Sequence, residues 1–96
     1  MARPAATPTV RIDDDRVKAT EWAFKPGAET GWHTHEHDYV VVTLVSGRLL
    51  IEMPDGSSST ADLTQGIPYA RKVGVEHNVI NDGDGEMRFL EVEITG

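Results

Sequence analysis

The chain has 96 residues, a net charge of −7 and no cysteine. A domain of this length buries only part of its surface and here has no disulfide, so a packed core, a metal or an oligomer has to stabilise it. The acidic charge argues against nucleic acid and anionic membranes as partners, because both require a basic protein face. We therefore expect a small-molecule substrate or ligand as partner.

The first residues, MARPAATPTV, are rich in proline and alanine and lack the apolar core of a signal peptide. We expect residues 1–14 to be a loose lead-in and residues 15–96 to form a single domain. No apolar run reaches the ~20 residues of a membrane span. The missing cysteines fit a reducing compartment, and we predict a cytoplasmic location.

Short runs rich in valine, isoleucine, threonine and leucine alternate with turn signals such as Lys25-Pro26-Gly27 and Pro54-Asp55-Gly56. They predict strands at residues 17–24, 38–45, 48–53, 58–63, 75–80 and 87–94. We expect the second and third to form a hairpin across Ser46-Gly47 and the fourth to be an edge strand. No stretch has helical periodicity. The chain is predicted to be all-β, a small antiparallel β-barrel or jelly roll in one domain.

Three of the four histidines lie in the segment WHTHEHD, residues 32–38, and the fourth is His77. Side chains two apart in a strand share a face, so His33 and His35 point the same way. His77 shares a face with Val75 and Val79 and is expected to point inward. Each histidine taken singly is more often a polar loop residue or a hydrogen-bonded core residue. Together they indicate a metal site.

Two segments resemble the motifs of the cupin family of small β-barrels. The segment GAETGWHTHEHDYVVVTLVSG, residues 27–47, matches G(x)5HxH(x)3–4E(x)6G at both histidines and both outer glycines. The segment GIPYARKVGVEHNVIN, residues 66–81, matches G(x)5PxG(x)2H(x)3N except that Lys72 replaces the proline. The resemblance implies a cupin barrel with His33, His35 and His77 as metal ligands.

The glutamate of the first motif is missing. Counting back from Gly47 places Val40 at its position, and the shorter spacing places Tyr39 there. Three outcomes stay open: a neutral three-histidine site, a fourth ligand from His37, or a degraded site without metal. Three histidines suffice for a divalent ion with open positions, and Fe, Mn, Ni and Zn all accept imidazole.

The pocket beside this site is predicted from strand parity and from nearby polar residues. Parity counted from position 40 places Val40, Val42 and Leu44 inside, as an apolar pocket floor. Tyr69 and Arg71 are candidates for orienting a carboxylate at the mouth. For both, the ordinary alternative is a packed tyrosine and a surface arginine.

The face of the strand opposite the pocket is expected to carry Val41 and Val45. Apolar residues on both faces favour packing against a partner chain. Many members of the cupin family, which this sequence resembles, form dimers, so we expect a homodimer.

Three functions are compatible with this sequence. The first is a metal-dependent enzyme, such as a dioxygenase with a three-histidine centre that acts on a small carboxylate or chelating substrate. The second is a non-enzymatic cupin that binds or senses a small ligand, with a structural metal or a degraded metal site. The third is a metal-free isomerase, which lacks a further inward acid or base. The first segment also looks similar to single-domain cupins placed near β-alanine degradation.

Overall fold

The computed structural model describes residues 3–96, which form nine strands and no helix. The strands are β1 (Thr7–Asp13), β2 (Val17–Phe24), β3 (His33–Thr34), β4 (Tyr39–Val45), β5 (Gly47–Glu52), β6 (Ser58–Leu63), β7 (Pro68–Arg71), β8 (Glu76–Asn81) and β9 (Met87–Ile94). Every strand pair is antiparallel, which confirms the all-β prediction. No helix in this part of the chain could cross a membrane.

The strands form two sheets. One has the order β1-β2-β9-β4-β7 and the other β3-β8-β5-β6, so β6 is an edge strand as predicted. The predicted hairpin between β4 and β5 is wrong, because β4 pairs with β7 and β9 while β5 pairs with β6 and β8. The short connection at Ser46 carries the chain from one sheet to the other. Sequence proximity alone does not separate a hairpin from this crossing.

The N-terminal segment is more regular than predicted. β1 spans half of the expected loose lead-in and pairs along β2 from Thr7 opposite Ala23 to Asp13 opposite Lys18. Further back, the Arg3 guanidinium binds the carboxylates of Glu29 and Glu52 at 3.3 and 3.1 Å. The sequence of β1 shows no alternation of apolar and polar residues that would predict a strand, because every one of its residues is exposed. Residues 1 and 2 of the lead-in lie outside the described chain.

The core lies between the two sheets. Its buried members include Phe24, Leu49, Met87 and Phe89, and the two phenylalanine rings pack with centroids 5.3 Å apart. Gly47 permits this packing at the sheet crossing, since a Cβ there would lie 3.1 Å from the Met87 side chain. The core member Tyr39 stacks on the His35 ring, so the core adjoins the histidines.

The inward face of β4 is the opposite of the one predicted, and the strand carries a β-bulge near its end. Tyr39, Val41 and Thr43 are buried, whereas Val40 and Val42 are only half-buried. The register between β4 and β9 shifts between Thr43 and Val45, so one extra residue is inserted there. Counting back from Gly47 across this extra residue lands on Val40 instead of Tyr39. The inward assignment of Val40, Val42 and Leu44 is therefore wrong by one position.

Apolar and acidic residues alternate in β9, and the face that carries Glu91 points inward. Met87 and Phe89 are buried, and Glu91 lines the interior on the same face. The apolar residues Leu90 and Val92 lie on the outer face, beside Val42 and Val40 of β4. The alternation identifies which residues share a face, but the core contacts decide which face is inside.

Candidate metal centre and pocket

Strand pairing places two of the histidines face to face. β3 pairs with β8 so that His33 lies opposite His77, and their ring centroids are 4.7 Å apart. Thr34 and Glu76 form the next pair and are exposed. Side chains opposite one another in an antiparallel pair are close neighbours on one face. The register of this short ladder therefore sets the distance between two candidate ligands.

The backbone beyond β3 positions His35. Its N–H donates to the Val75 carbonyl and its carbonyl accepts from the Gly74 N–H, both at 2.8 Å. Gly74 has a φ of 99°, a conformation that side-chain-bearing residues rarely adopt. The His35 ring is buried and stacks on the Tyr39 ring at 3.8 Å between centroids. This packing holds the imidazole in one plane.

The three Nε2 atoms converge. His35 Nε2 lies 3.1 Å from His33 Nε2 and 3.2 Å from His77 Nε2. Two nitrogens bound at about 2.1 Å to one ion lie roughly 3.0 to 3.4 Å apart, for right-angled to tetrahedral geometry. The spacing of the side chains thus fits a shared divalent ion, and these three histidines form a group able to hold a metal.

The protonation of the rings also suits metal binding. His33 Nδ1 lies 2.8 Å from the Gly31 carbonyl, which can only accept, so Nδ1 is the donor there and Nε2 is the nitrogen left to bind an ion. Burial, with a further contribution from neighbouring histidines, lowers the pKa of His35 and His77 to about 4. Both rings are therefore neutral at pH 7, as metal ligands must be.

His37, the alternative fourth ligand, is outside this cluster. It is half-buried, while the group of converging ligand atoms in the described chain contains only His33, His35 and His77. The chain leaves β3 after Thr34 and does not re-enter a strand until Tyr39, so strand alternation does not place His37 beside the other ligands. His35, in the same connection, is placed there by its backbone hydrogen bonds to Val75 and Gly74. The geometry favours the three-histidine option.

A cavity of about 290 Å³ adjoins the cluster and includes His77 in its wall. Its apolar lining includes Val41, Leu49 and Phe89. Val40 and Val42, the predicted pocket residues, do not line it, because they lie on the outer face of β4. Their neighbours Tyr39 and Val41 line the cavity, in the places that the sequence predicted for Val40 and Val42.

Tyr69 and Arg71 of β7 do line this cavity. The Arg71 guanidinium lies over the Tyr69 ring, 4.5 Å from its centroid, and one of its nitrogens donates to the Ala70 carbonyl at 2.9 Å. Arg71 is exposed and Tyr69 is half-buried, which places the cation at the mouth of the cavity and the ring within. A guanidinium held in this way retains further donors for a carboxylate.

Sequence reasoning missed Glu91. Its carboxylate lines the cavity with only 12% of the side chain exposed, and Oε1 lies 3.9 Å from His35 Nδ1. Burial, aided by the charge of Glu93, raises the pKa of Glu91 to about 7. The available signal was the alternation of β9, which sets Glu91 on the same face as Phe89.

Comparison with known proteins agrees with this architecture. Residues 20–93 match the Cupin_2 family of cupin domains. The chain is 56% identical, over 96% of each sequence, to the β-alanine degradation protein BauB of Pseudomonas aeruginosa. A cupin domain from Bordetella pertussis superposes with a TM-score of 0.95 at 58% identity, covering 100% of this chain and 99% of that one.

A double-stranded β-helix protein from Klebsiella pneumoniae, 22% identical, superposes with a TM-score of 0.78 over 100% of this chain and 82% of that one, and shares the fold. The family match, the relatives at more than half identity and the two-sheet barrel agree with one another. This chain is a member of the cupin family.

Proposed function

We propose that the protein is a small metal-dependent enzyme, a dioxygenase with a three-histidine centre that acts on a small carboxylate. The observation that carries the proposal is the convergence of the three Nε2 atoms at 3.1 and 3.2 Å beside a cavity. An ion such as Fe(II) or Mn(II), when bound there, would offer open positions to a chelating substrate and to dioxygen. Zn or Ni would instead act as a Lewis acid or a structural ion.

The residues around the cavity support a small anionic substrate. Arg71 supplies a cation at the mouth, and the apolar wall formed by Val41, Leu49 and Phe89 excludes water from the rest of the ligand. Neutral histidines leave the full charge of the ion to attract an anion. The relative from P. aeruginosa is named for β-alanine degradation, and β-alanine is itself a short carboxylate.

Metal binding is tested by anaerobic loading with Fe(II) followed by elemental analysis. We expect close to one equivalent in the wild type and none in His77→Ala, with His37→Ala as the matched histidine control that retains the metal. Less than roughly 0.1 equivalent in the wild type would contradict the proposal. Equal loss in His37→Ala and His77→Ala would restore the four-ligand alternative.

Oxygen uptake with a panel of small acids and diketones then tests catalysis. We expect uptake with a short carboxylate, and a raised KM in Arg71→Ala, because the variant lacks the guanidinium that binds the carboxylate. A loaded protein that binds these acids without consuming oxygen would instead be a ligand-binding or sensing cupin.

We also propose that the protein is a homodimer. The surface in question is the outer face of the five-stranded sheet, where Val40 and Val42 lie beside Val92 and Leu90. These residues replace Val41 and Val45, the pair expected from the sequence, because Val41 is buried inside the barrel. Light scattering coupled to gel filtration tests this state, and a monomer at tens of micromolar would contradict it. A cytoplasmic location stays a prediction.

A further inference from the structure

Glu91 stands on the far side of the His35 ring from the converging Nε2 atoms. Its Oε1 is 3.9 Å from Nδ1, whereas Nε2 of the same ring faces His33 and His77. The carboxylate is not part of the group of converging ligand atoms. It therefore lies where it contacts a ligand histidine without reaching the ion position.

The burial of the Glu91 carboxylate at this location is energetically unfavourable. Burying a charged group without a partner is costly, and no lysine or arginine of the described residues forms an ion pair with Glu91. The neighbouring members of the same wall, Val41 and Phe89, are apolar. A residue that costs folding free energy and faces a candidate ligand is typical of a functional site.

His33, like His35, has an oxygen atom on the Nδ1 side of its ring, but at a shorter distance. His33 Nδ1 contacts the Gly31 carbonyl at 2.8 Å, which fixes the proton on Nδ1. His35 has the Glu91 carboxylate on its Nδ1 side, about 1 Å farther away than in a typical hydrogen bond. A hydrogen bond here requires the Glu91 side chain to move closer to Nδ1 by that distance.

We propose that Glu91 is a positioning residue that accepts the Nδ1–H of His35 when a metal is bound, and so directs the His35 Nε2 lone pair at the ion. This inference rests on the metal site of the proposed function. Carboxylate partners of this kind orient ligand histidines and raise their basicity. Glu91 also brings a negative charge from β9 toward a site whose first motif lacks its glutamate.

Zinc affinity measures the contribution of Glu91. The dissociation constant for Zn(II) is determined at pH 7.5 by competition with a chelating dye. We expect Glu91→Ala to raise it about 10- to 100-fold. Glu91→Gln keeps an acceptor oxygen and should raise it by less than Glu91→Ala. Glu93→Gln, the matched control, removes the same charge from the same strand and should leave the constant within about threefold.

The outcomes separate the two proposals. If the wild type does not bind Zn(II), the metal site and this inference are both overturned. If the wild type binds and Glu91→Ala binds equally tightly, only the role of Glu91 is overturned. Equal weakening in Glu93→Gln and Glu91→Ala would assign the effect to net charge and would also overturn it.

A second readout reports the His35 ring directly. In the zinc-loaded wild type, ¹⁵N spectra of the histidine side chains should show His35 protonated at Nδ1, with an Nδ1–H that exchanges slowly with water. That proton should exchange faster in Glu91→Ala and be retained in Glu91→Gln. A purely structural role of Glu91 would leave the exchange rate unchanged.

Discussion

Glu91 is expected to make the metal-free protein less stable at alkaline pH, so Glu91→Gln should stabilise it. Burial, followed by the charge of Glu93, raises the Glu91 pKa from 4.5 to about 7. A change of one in a pKa corresponds to 1.36 kcal/mol, so ionising the folded carboxyl costs about 3 kcal/mol. The folded carboxyl holds its proton more tightly than the unfolded one. The cost is therefore absent below about pH 4.5 and complete above about pH 7.

The measurement is urea unfolding in the presence of EDTA at pH 8 and at pH 4.5. The buried amide of Gln loses roughly 1 kcal/mol of solvation at either pH, so we expect Glu91→Gln to gain about 2 kcal/mol at pH 8 and to lose about 1 kcal/mol at pH 4.5. Glu36→Gln, an exposed control in the histidine segment, should change the free energy of unfolding by less than about 0.5 kcal/mol at either pH. An equal gain at both pH values, or none at pH 8, would refute the reasoning.

Three further predictions concern the rest of the barrel. His35 and His77 have pKa values near 4 in the folded protein and 6.5 in the unfolded one, so the free energy of unfolding of the metal-free protein should fall between about pH 6.5 and pH 4. Urea titration of His77→Ala should show a smaller fall over the same pH range. Gly47→Ala forces a Cβ to within 3.1 Å of a buried methionine and should cost about 1–3 kcal/mol, whereas Gly85→Ala, with nothing within 4 Å, should be near neutral by thermal melting. Leu49→Ala should cost about 2–5 kcal/mol, and a loss below about 1 kcal/mol would contradict its place in the core.

The sequence predicted the strands that have a clear pattern. The strands at residues 17–24, 58–63 and 87–94 were predicted with their observed bounds, because turn residues and β-branched runs mark both ends. β1, the two-residue β3 and β7 were missed. β1 has no buried face to impose alternation, and β7, only four residues long, starts at Pro68.

The candidate site was predictable where local spacing fixes geometry. His33 lies opposite His77 in one strand pairing, and His35, two residues farther on, is held beside them by its backbone hydrogen bonds to Val75 and Gly74. The inward face of β4 could not be derived, because its valines are apolar on both faces and the bulge at its end is invisible in the sequence. Glu91 was missed since a carboxylate in an alternating strand is normally read as solvent-facing.

The bulge in β4 also determines where this site could be redesigned. Because of the extra residue, position 39 points into the barrel and packs on His35, whereas position 40 points to the outer face. An engineer who restores the family glutamate by counting back from Gly47 would change Val40 and place a charge on the proposed dimer surface. Replacing Tyr39 instead would direct the carboxylate to the interior beside the ligand histidines. Strand register therefore identifies Tyr39 as the position for altering the ligand set, whereas counting along the motif leads to its neighbour Val40.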